Sequence, residues 1–450
     1  MRRNFLMLLA LVLMPAVALR GQDASTQETS TPLPAKPADA QPLSLDDAIR
    51  IALRGHPALR EAEDAVRAAE AEVKQARAGY FPQLNFSGIG KVGLSGATNA
   101  LGLPGFPASP FYRNVTYSAN WYQNIFDFRR TKHLVASRRA LAESAQFKNK
   151  AEQKRIVLAV KRAYFTVLAA QQLQSLAQAT VEERKLTLRR VRASFEQGLQ
   201  SQMEVSLAES SVAEAEGSLA EARAAVGRGF AALRVAMGVE GAPEYLLQAP
   251  KTEVVTLPPL ESLVQEGVKN RPDAQAMDWK VQAFAEEAGL AHAERFPKIN
   301  GFGAGGQGRF SGTTVKPEQQ HGVGALGLFV PIFTGGRLEA AQQEAKAELD
   351  ASLATQEQLR QQIRHEVTDV YYQLIAHVDR MQAADQQRKL ADEALRMAQA
   401  RYDMQLASFL DMLTAQVAKT AAETAYARTQ LDYQRALAEL EFATGEPVQP

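Results

Sequence analysis

The longest pattern in the chain is a helical run near its C-terminal end. Residues 337–444 contain neither glycine nor proline, the two residues that most often interrupt a helix. Apolar side chains recur in it mostly three and four positions apart, at Leu349, Leu353, Leu359, Ile363, Val367, Val370, Leu374, Val378 and Met381. The pattern breaks at 405–408 and restarts at Phe409. A straight helix would be about 160 Å long, so we predict a helix of about 68 residues that folds back at that break.

The same plan occurs earlier in the chain. Residues aligned at an offset of 215 are Leu45 and Leu260, Pro57 and Pro272, and Phe81 and Phe296. Residues aligned at an offset of 207 are Phe126 and Phe333, Tyr164 and Tyr371, Phe195 and Tyr402, and Gly238 and Gly445. We therefore predict an internal duplication, with one structural repeat over 43–243 and a second over 244–450. Each repeat is expected to contain a long helical hairpin, at about 129–237 and about 337–444.

A strand pair is predicted ahead of each hairpin. Between Asn114 and Phe126, apolar residues alternate with uncharged polar ones, as in a strand with one apolar and one polar face. The two strand pairs are expected at about 83–126 and about 298–333. Strands of about 10 to 13 residues are long enough to cross an outer membrane at a tilt.

Residues 1–18 have the features of a secretory signal peptide. Arg2 and Arg3 precede an apolar stretch over 5–14, and 16–18 fit the small-residue cleavage pattern. The alternative, an N-terminal anchor helix, is disfavoured because the apolar stretch is too short to span a bilayer. Residues 19–42, which contain Ser, Thr, Pro and Ala without periodicity, are expected to form a flexible leader.

Four strands are too few for a closed barrel. The smallest known membrane barrels have about eight strands, and an open sheet edge in lipid leaves backbone groups unpaired. Two charge-poor strand pairs at aligned positions of an exported chain favour the membrane, so several copies of the chain must contribute strands to one barrel. The alternative for a single strand pair is the edge of a water-soluble sheet.

Composition excludes several kinds of chemistry. Lys and Arg total 51 against 50 Asp and Glu, so charge gives no reason to expect a nucleic-acid partner. The chain has no Cys, which excludes a thiol nucleophile, a thiolate metal site, a disulfide and a lipidated cysteine. None of the six His residues lies three or four positions from another, so no metal site is predicted. No Gly-x-Ser-x-Gly nucleophile motif is present, and we predict that the chain is not an enzyme.

A Gly-x-Gly-x-x-Gly pattern appears twice, at Gly88, Gly90 and Gly93 and at Gly303, Gly305 and Gly308. Both copies lie inside predicted strands, and neither opens a helix whose N-terminus could hold a pyrophosphate. No cofactor is therefore predicted. We expect these glycines to let the backbones of the barrel pack closely.

Several features occur together in one order: duplicated long hairpins, two strand pairs, a Phe-Pro dipeptide at Phe81 and at Phe296, and the segment Val-Pro-Ile-Phe-Thr-Gly-Gly at 330–336. In this combination the chain resembles the TolC-like outer-membrane efflux protein family over about 43–445. The resemblance implies a mainly α-helical fold with membrane β structure. It implies a homotrimer whose 12-stranded β-barrel takes four strands from each chain and continues as a coiled-coil tunnel of 12 helices.

The resemblance also implies a function. Members of this family are outer-membrane exit channels of tripartite efflux pumps or type I secretion systems, and act as passive ducts gated at the periplasmic helical tip. The implied partners are a periplasmic adaptor (membrane fusion) protein, an inner-membrane transporter and outer-membrane lipid. The implied location is the outer membrane of a Gram-negative-type cell, with the helical part in the periplasm and no lipid anchor, because the chain has no Cys.

Two acids are candidates for a periplasmic gate. Glu204 and Asp411 are aligned at the offset of 207, and each lies just beyond a predicted hairpin turn. In a trimer they would place up to six acids around the narrow end of a tunnel. By resemblance, Asp411 matches the first acid of the gating motif, Glu204 the acid beyond the first turn, and Tyr402 the gate tyrosine. The alternative is that both acids are ordinary exposed carboxylates.

Two gate positions depart from the better-known members of the family. Thr414 stands where the second acid of the motif is usual, and Ala407 stands at the basic position of the turn. These departures weaken the case for the polar lock that holds the resting gate of those members closed.

The turns themselves are the expected adaptor contacts. By resemblance, Gly198, Leu199 and Ser201 match the small and apolar turn motif of the family. The second turn keeps Leu406 and Ser408 but has Gln where Gly is usual.

Two other functions remain as alternatives to the exit channel. A periplasmic coiled-coil scaffold or adaptor without a pore would need only one hairpin, which the twofold repeat disfavours. An exported hydrolase would need a nucleophile, base or metal constellation, and the sequence contains none that we recognise.

Overall fold

The structure of the protein is a computed structural model that describes residues 41–94, 111–240, 245–249, 255–311 and 318–445. The predicted signal peptide over 1–18 and nearly all of the predicted leader over 19–42 lie outside the described residues.

Both halves of the chain have the same order of elements: two short helices, two long strands and two long helices. The first half contains β1 (Gln41–Leu43), α1 (Leu45–Gly55), α2 (Pro57–Arg77), a 3-10 turn (Ala78–Tyr80), β2 (Gln83–Leu94), β3 (Phe111–Phe126), α3 (Arg130–Glu196) and α4 (Gln202–Met237). The second half contains β4 (Tyr245–Leu247), α5 (Leu260–Asn270), α6 (Pro272–Ala293), β5 (Lys298–Ser311), β6 (Glu318–Phe329), α7 (Arg337–Asp403) and α8 (Phe409–Thr444). Most described residues are therefore helical.

The long helices give each half its length. Helices α3 and α7 both have 67 residues, which corresponds to about 100 Å at a rise of 1.5 Å per residue. Helices α4 and α8 both have 36 residues and fold back along them. The break that the sequence places at 405–408 lies between α7 and α8. Within the described ranges, no helix combines the length and the apolar character needed to cross a membrane.

Helix boundaries follow local sequence signals. The hydroxyl of Ser44 accepts from the backbone N–H of Asp47 at 3.1 Å and caps α1. Pro57 and Pro272 occupy the first turns of α2 and α6, where a missing N–H costs no hydrogen bond. Both α4 and α8 end at a glycine in the left-handed conformation, Gly238 and Gly445. Residues at equivalent positions of the two repeats therefore mark the beginnings and ends of equivalent helices.

The long strands form one antiparallel sheet in the order β2-β3-β5-β6. The β3–β5 pair, which joins the two halves, aligns Trp121 with Gly303 and Asn124 with Asn300. A Cβ at Gly301 would lie 2.8 Å from the Trp121 ring, so only glycine leaves room for that ring on β5.

The last strand is shorter than predicted. The sequence pattern extended the second strand pair to Phe333, but β6 ends at Phe329. Pro331 follows two residues later and has no N–H to donate to a strand ladder, so the chain leaves the sheet before Phe333.

The two faces of the sheet differ in chemistry. Large apolar side chains on one face are exposed, among them Leu84, Phe86, Tyr117, Trp121 and Leu326. On the other face Ser87 and Ser118 hydroxyls are 3.0 Å apart, and Asn120 donates to Ser87 at 2.9 Å. An exposed apolar face and a hydrogen-bonded polar face are the pattern of a strand pair between lipid and water.

The strand-to-helix junctions have the same backbone in both halves but different side chains. After β3, Phe128 and Arg129 adopt positive φ values of 48° and 69°. After β6, the aligned residues Gly335 and Gly336 adopt 61° and 82°. Phe128 is held by stacking on Phe296, with ring centroids 5.2 Å apart, whereas a Cβ on either glycine would meet nothing within 4 Å.

Two apolar clusters anchor the short helices to the long ones. One packs α1, α2, α3 and α4 around Val160, Tyr164 and Leu233, and the other packs α5, α6, α7 and α8 around Ile363, Val367 and Leu440. Helix α3 also contacts the second half through several ion pairs, among them Arg130–Glu294 at 2.9 Å and Lys161–Glu441.

Candidate gate at the hairpin tips

Both hairpins turn with the same hydrogen bonds. In the first turn the N–H of Gly198 donates to the Phe195 carbonyl at 2.8 Å, and the N–H of Leu199 donates to Ser194 at 2.9 Å. In the second turn Gln405 donates to Tyr402 and Leu406 to Arg401, both at 2.8 Å. This is the Schellman ending of a helix, which satisfies the last carbonyl groups of α3 and α7.

Each returning helix starts with a capping box. The Ser201 hydroxyl accepts from the N–H of Glu204 at 3.3 Å, and the Glu204 carboxylate accepts from the N–H of Ser201 at 3.0 Å. Ser408 and Asp411 make the same reciprocal pair at 3.2 and 3.0 Å. Both predicted gate acids therefore cap their own helices, a role that the Ser-x-x-acid spacing could have predicted.

An apolar cluster lies directly behind the two turns. Phe409 and Met412 of α8 are buried and belong to one cluster with Val191 of α3 and Val205 and Ala208 of α4. Tyr402 packs on this cluster, with its ring centroid 6.0 Å from that of Phe409. The two hairpins are thus held together close to their tips.

Gln200 connects the first turn to the gate tyrosine. Its amide is 3.1 Å from the Tyr402 hydroxyl. When the amide oxygen accepts from that hydroxyl, the amide nitrogen donates to Glu204 Oε1 at 2.8 Å. The reverse orientation would point the amide oxygen at a carboxylate, so we adopt the first. Polar contacts therefore connect Glu204 and Gln200 of the first hairpin with Tyr402 of the second hairpin.

The electrostatics at the tip are consistent with this arrangement. Burial raises the pKa of Tyr402, and the charges of Glu204 and Asp403 act in the same direction, so the hydroxyl stays protonated and can donate. The Ser408 side chain and backbone hydrogen bonds lower the pKa of Asp411, which therefore carries a negative charge at neutral pH.

The predicted gate residues are only partly brought together. Glu204 and Tyr402 are joined through Gln200, which the sequence analysis did not single out. Asp411 bonds to Ser408, and among the described residues it makes no hydrogen bond with Glu204. Thr414 is exposed, and its hydroxyl donates to the Leu410 carbonyl of its own helix at 2.8 Å.

The predicted adaptor turns expose apolar side chains. Leu199 is 60% exposed and Leu406, at the aligned position, is 66% exposed. One turn of helix farther on, Met203 and Leu410 are also exposed. Each tip therefore presents a pair of apolar side chains beside a helix N-terminus, which is a surface that a partner can cover.

Solved structures of membrane proteins share this fold. A membrane protein from Pseudomonas aeruginosa is 23% identical, with a TM-score of 0.78 over 89% of this chain and 93% of that chain. The outer membrane protein VceC from Vibrio cholerae is 21% identical, with a TM-score of 0.76 over 89% of this chain and 96% of that chain. These likenesses show the fold.

Proteins with similar sequences are described as outer membrane proteins of efflux or multidrug resistance. The antibiotic efflux pump outer membrane protein ArpC of Pseudomonas putida is 24% identical over 386 residues, which is 83% of this chain and 77% of that protein. The multidrug resistance outer membrane protein MdtQ of Escherichia coli O6:H1 is 25% identical over 379 residues, covering 80% and 76%. The model of the outer membrane efflux protein family matches residues 48–239 and 263–446. The chain belongs to this family.

Proposed function

We propose that the protein is the outer-membrane exit duct of a tripartite efflux pump, and that it catalyses no reaction. The support is family membership together with relatives that are themselves named as efflux pump outer membrane proteins. A type I secretion role uses the same kind of duct and is the nearest variant of this proposal.

The observation that carries the proposal is the open four-stranded sheet. Strands β2 and β6 are its two edges, and each has a sheet neighbour on one side only among the described residues. The exposed apolar face suits contact with lipid, but open edges in lipid leave backbone groups unpaired. Three copies placed edge to edge would close a barrel of 12 strands, continued by a tunnel of 12 long helices. The outer membrane would then hold the sheet, with the helices in the periplasm and no lipid anchor on the protein.

The shared order of elements supports an internal duplication as the origin of this design. The left-handed glycines Gly238 and Gly445, the helix-starting prolines Pro57 and Pro272, and the two Schellman turns all occur at aligned positions. Each chain contributes one long hairpin from each repeat, so three chains would build the tunnel from six similar hairpins.

The hairpin tips are the proposed gate. Glu204 and Asp411 lie in the first turns of α4 and α8, Thr414 in the second turn of α8 and Tyr402 in the last turn of α7. The contacts of Gln200 with Glu204 and Tyr402 join the two tips of one chain in addition to the apolar cluster around Phe409, so breaking them weakens the attachment of the second hairpin. Polar contacts can thus favour the closed state without the basic residue that Ala407 replaces.

The turns are the proposed contacts for the partners. A periplasmic adaptor would cover Leu199, Ser201, Leu406 and Ser408, and Gly198 would let it approach the backbone of the first turn. The adaptor would link the duct to an inner-membrane transporter that selects the cargo.

Conductance in a planar lipid bilayer tests the proposal. The full-length protein is purified in detergent, its mass is measured, and it is added to the bilayer. We expect a trimer that gives discrete, long-lived conductance steps. A monomer without conductance would reject the duct and leave the scaffold without a pore as the better account.

A further inference from the structure

The two halves of the chain meet along one pair of long helices, α3 of the first half and α8 of the second. In the repeat, α7 is the equivalent of α3, and α4 is the equivalent of α8. In the described chain, however, α7 and α4 do not pack along each other. Three polar contacts join α3 to α8: Lys161 with Glu441, Arg162 Nη2 with Glu439 at 2.8 Å, and Arg435 Nη2 with the Thr166 hydroxyl at 2.7 Å.

One face of α7 is exposed where the equivalent face of α3 is buried. Phe165 and Leu168 of α3 are 3% and 5% exposed, and they belong to an apolar cluster that includes Leu431 of α8. The equivalent residues of α7, Tyr372 and Ile375, are 60% and 37% exposed. Large apolar side chains at the same repeat positions therefore lack on α7 the cover that α8 gives to α3.

One face of α4 is exposed in the same way. Leu431 and Ala438 of α8 are buried, but the equivalent residues of α4, Ala224 and Ala231, are exposed. Ala224 is smaller than Leu431, whereas Tyr372 is larger than the Phe165 that it replaces. The changes in size compensate each other, so the exposed faces of α4 and α7 fit each other as α8 and α3 do.

The exposed face of α4 carries an arginine without a partner. Arg228 is the equivalent of Arg435, which donates to Thr166 and lies 3.4 Å from Asp432. Ala225 stands at the position of Asp432, and Arg228 is exposed and makes neither an ion pair nor a side-chain hydrogen bond with any described residue. The repeat thus keeps this arginine but not its contacts.

The exposed face of α7 carries acceptors at the matching positions. Gln373 is the equivalent of Thr166, and Asp369 is the equivalent of Arg162. The Gln373 amide nitrogen donates to Asp369 Oδ2 at 2.7 Å, which leaves the amide oxygen and the other carboxylate oxygen as acceptors. Asp369 has no ion pair among the described residues, and its charge is opposite to that of Arg228. An arginine is the donor that suits such a pair of acceptors.

The open edges of the sheet divide between the halves as the exposed helix faces do. Strand β3 of the first half pairs with β5 of the second, and their equivalents in the repeat are β6 and β2, the two edge strands of the described sheet. Helix α7 follows β6 in the second half, and α4 follows β2 in the first half. The first half of a second copy can therefore cover the strand edge and the helix face of the second half together.

We propose that α7 of one copy binds α4 of a second copy in the register of the α3–α8 contact, with Arg228 of the second copy bound to Gln373 and Asp369. The two copies use different faces, so this is a head-to-tail contact that can repeat around a ring. The inference rests on the three-copy arrangement proposed above, and it adds which helix faces meet, in which register, and through which polar residues.

Cross-linking of introduced cysteines tests the register, because the natural chain has no Cys. Full-length protein carrying Gln373→Cys and Arg228→Cys is treated in detergent with a short bismaleimide and run on a denaturing gel. We expect covalent dimers and trimers. Thr166→Cys with Arg435→Cys is the matched control, because this pair lies within one chain and should give linked monomers only.

A second control tests the register along the helix. Glu214 lies on the same face of α4 as Arg228, two heptads and about 21 Å away. Gln373→Cys with Glu214→Cys should therefore give at least about tenfold less covalent dimer and trimer. A conducting trimer in which both cysteine pairs react equally, or in which neither reacts, would overturn this inference and leave the duct intact. A monomer without conductance would reject both.

An exchange of charge tests the polar contact. Asp369→Arg places two cations against each other, so the fraction of trimer measured by mass at low salt should fall. Arg228→Asp in the same chain restores a pair of opposite charges and should restore the trimer. A double variant with no more trimer than Asp369→Arg alone would overturn the assignment of Arg228 to Asp369.

Discussion

Gln405 adopts in the second hairpin turn the left-handed backbone conformation that Gly198 adopts in the first, with φ values of 60° and 74°. The two residues are aligned in the repeat, and both donate the same hydrogen bond of the Schellman ending. A residue with a Cβ pays about 1 to 2 kcal/mol for this conformation, whereas glycine adopts it freely. The second tip is therefore strained where the first is not.

We expect Gln405→Gly to stabilise the protein by about 1 kcal/mol, because it relieves that strain. The measurement is the melting temperature in detergent, followed by circular dichroism. Gln405→Ala is the control, since alanine keeps the Cβ and should give no such gain. A lower melting temperature for Gln405→Gly than for Gln405→Ala would contradict the assignment of strain.

Acid should loosen the start of α8 before it unfolds the chain. The folded pKa of Asp411 lies below its ordinary value of 3.8 because Ser408 bonds to the charged form. The stabilisation is therefore complete above that ordinary value and is lost as the pH falls through the lower folded pKa. Amide hydrogen exchange in the first turn of α8 should become less protected over that range. In Asp411→Asn this pH dependence should be absent; its persistence would argue against the capping role.

Removal of the Gln200 side chain should favour the open duct. One hydrogen bond contributes about 1 kcal/mol net, so Gln200→Ala should raise the open probability about fivefold in single-channel recordings. Tyr402→Phe should have a similar effect, and the double variant should add little, because both remove the same contact. Gln197→Ala, at an exposed position of the same turn, is the matched control. Additive effects of the two variants would show that they act separately.

Neutralising the tip acids should reduce the preference of the channel for cations. In Glu204→Gln combined with Asp411→Asn, both side chains can still accept the capping bond, so the tips should fold normally. The reversal potential under a salt gradient should move towards that of an unselective pore. Glu209→Gln, on the same helix as Glu204 but paired with Arg192, is the control. Unchanged selectivity and unchanged currents would leave the acids with the capping role alone.

Adaptor binding should depend on the exposed leucines of the turns. Leu199→Asp or Leu406→Asp places a charge in the apolar contact, and we expect at least about tenfold weaker capture of the cognate adaptor. Leu246→Asp changes a leucine of similar exposure in β4, far from the tips, and should bind normally. The trimer is checked by size in each case. Equal binding by all three variants would remove the turns from the interface.

Much of the fold follows from the sequence because its signals are local. Absence of glycine and proline over 337–444 allows long helices, and alternation around Trp121 allows a strand with two unlike faces. The turn at 405–408 is visible because the apolar pattern stops there. The alignment with Phe126 predicts a strand that continues to Phe333, but the local effect of Pro331 ends β6 at Phe329.

The site was less accessible to sequence analysis. The repeat and the resemblance identify Glu204 and Tyr402 as gate residues, but Gln200 joins them only because Gln200 and Tyr402, 202 positions apart, meet in space. No local pattern reports such a contact. The capping boxes are a different case, because Ser201 and Ser408 each precede an acid by three residues and could have been recognised.

The unequal junctions between strand and helix have a mechanical consequence. Helix α3 leaves the sheet through Phe128, which stacks on Phe296, whereas α7 leaves it through Gly335 and Gly336, where an added Cβ would meet nothing within 4 Å. Because no neighbouring side chain restrains these two glycines, the backbone at this point can rotate and carry α7 with it. A rotation of about 5° at one end of a rod of about 100 Å displaces the other end by about 9 Å. The two-residue turn at the sheet and the apolar packing of α7 around Ile363 and Val367 therefore together limit how far the second hairpin can move at its distant tip.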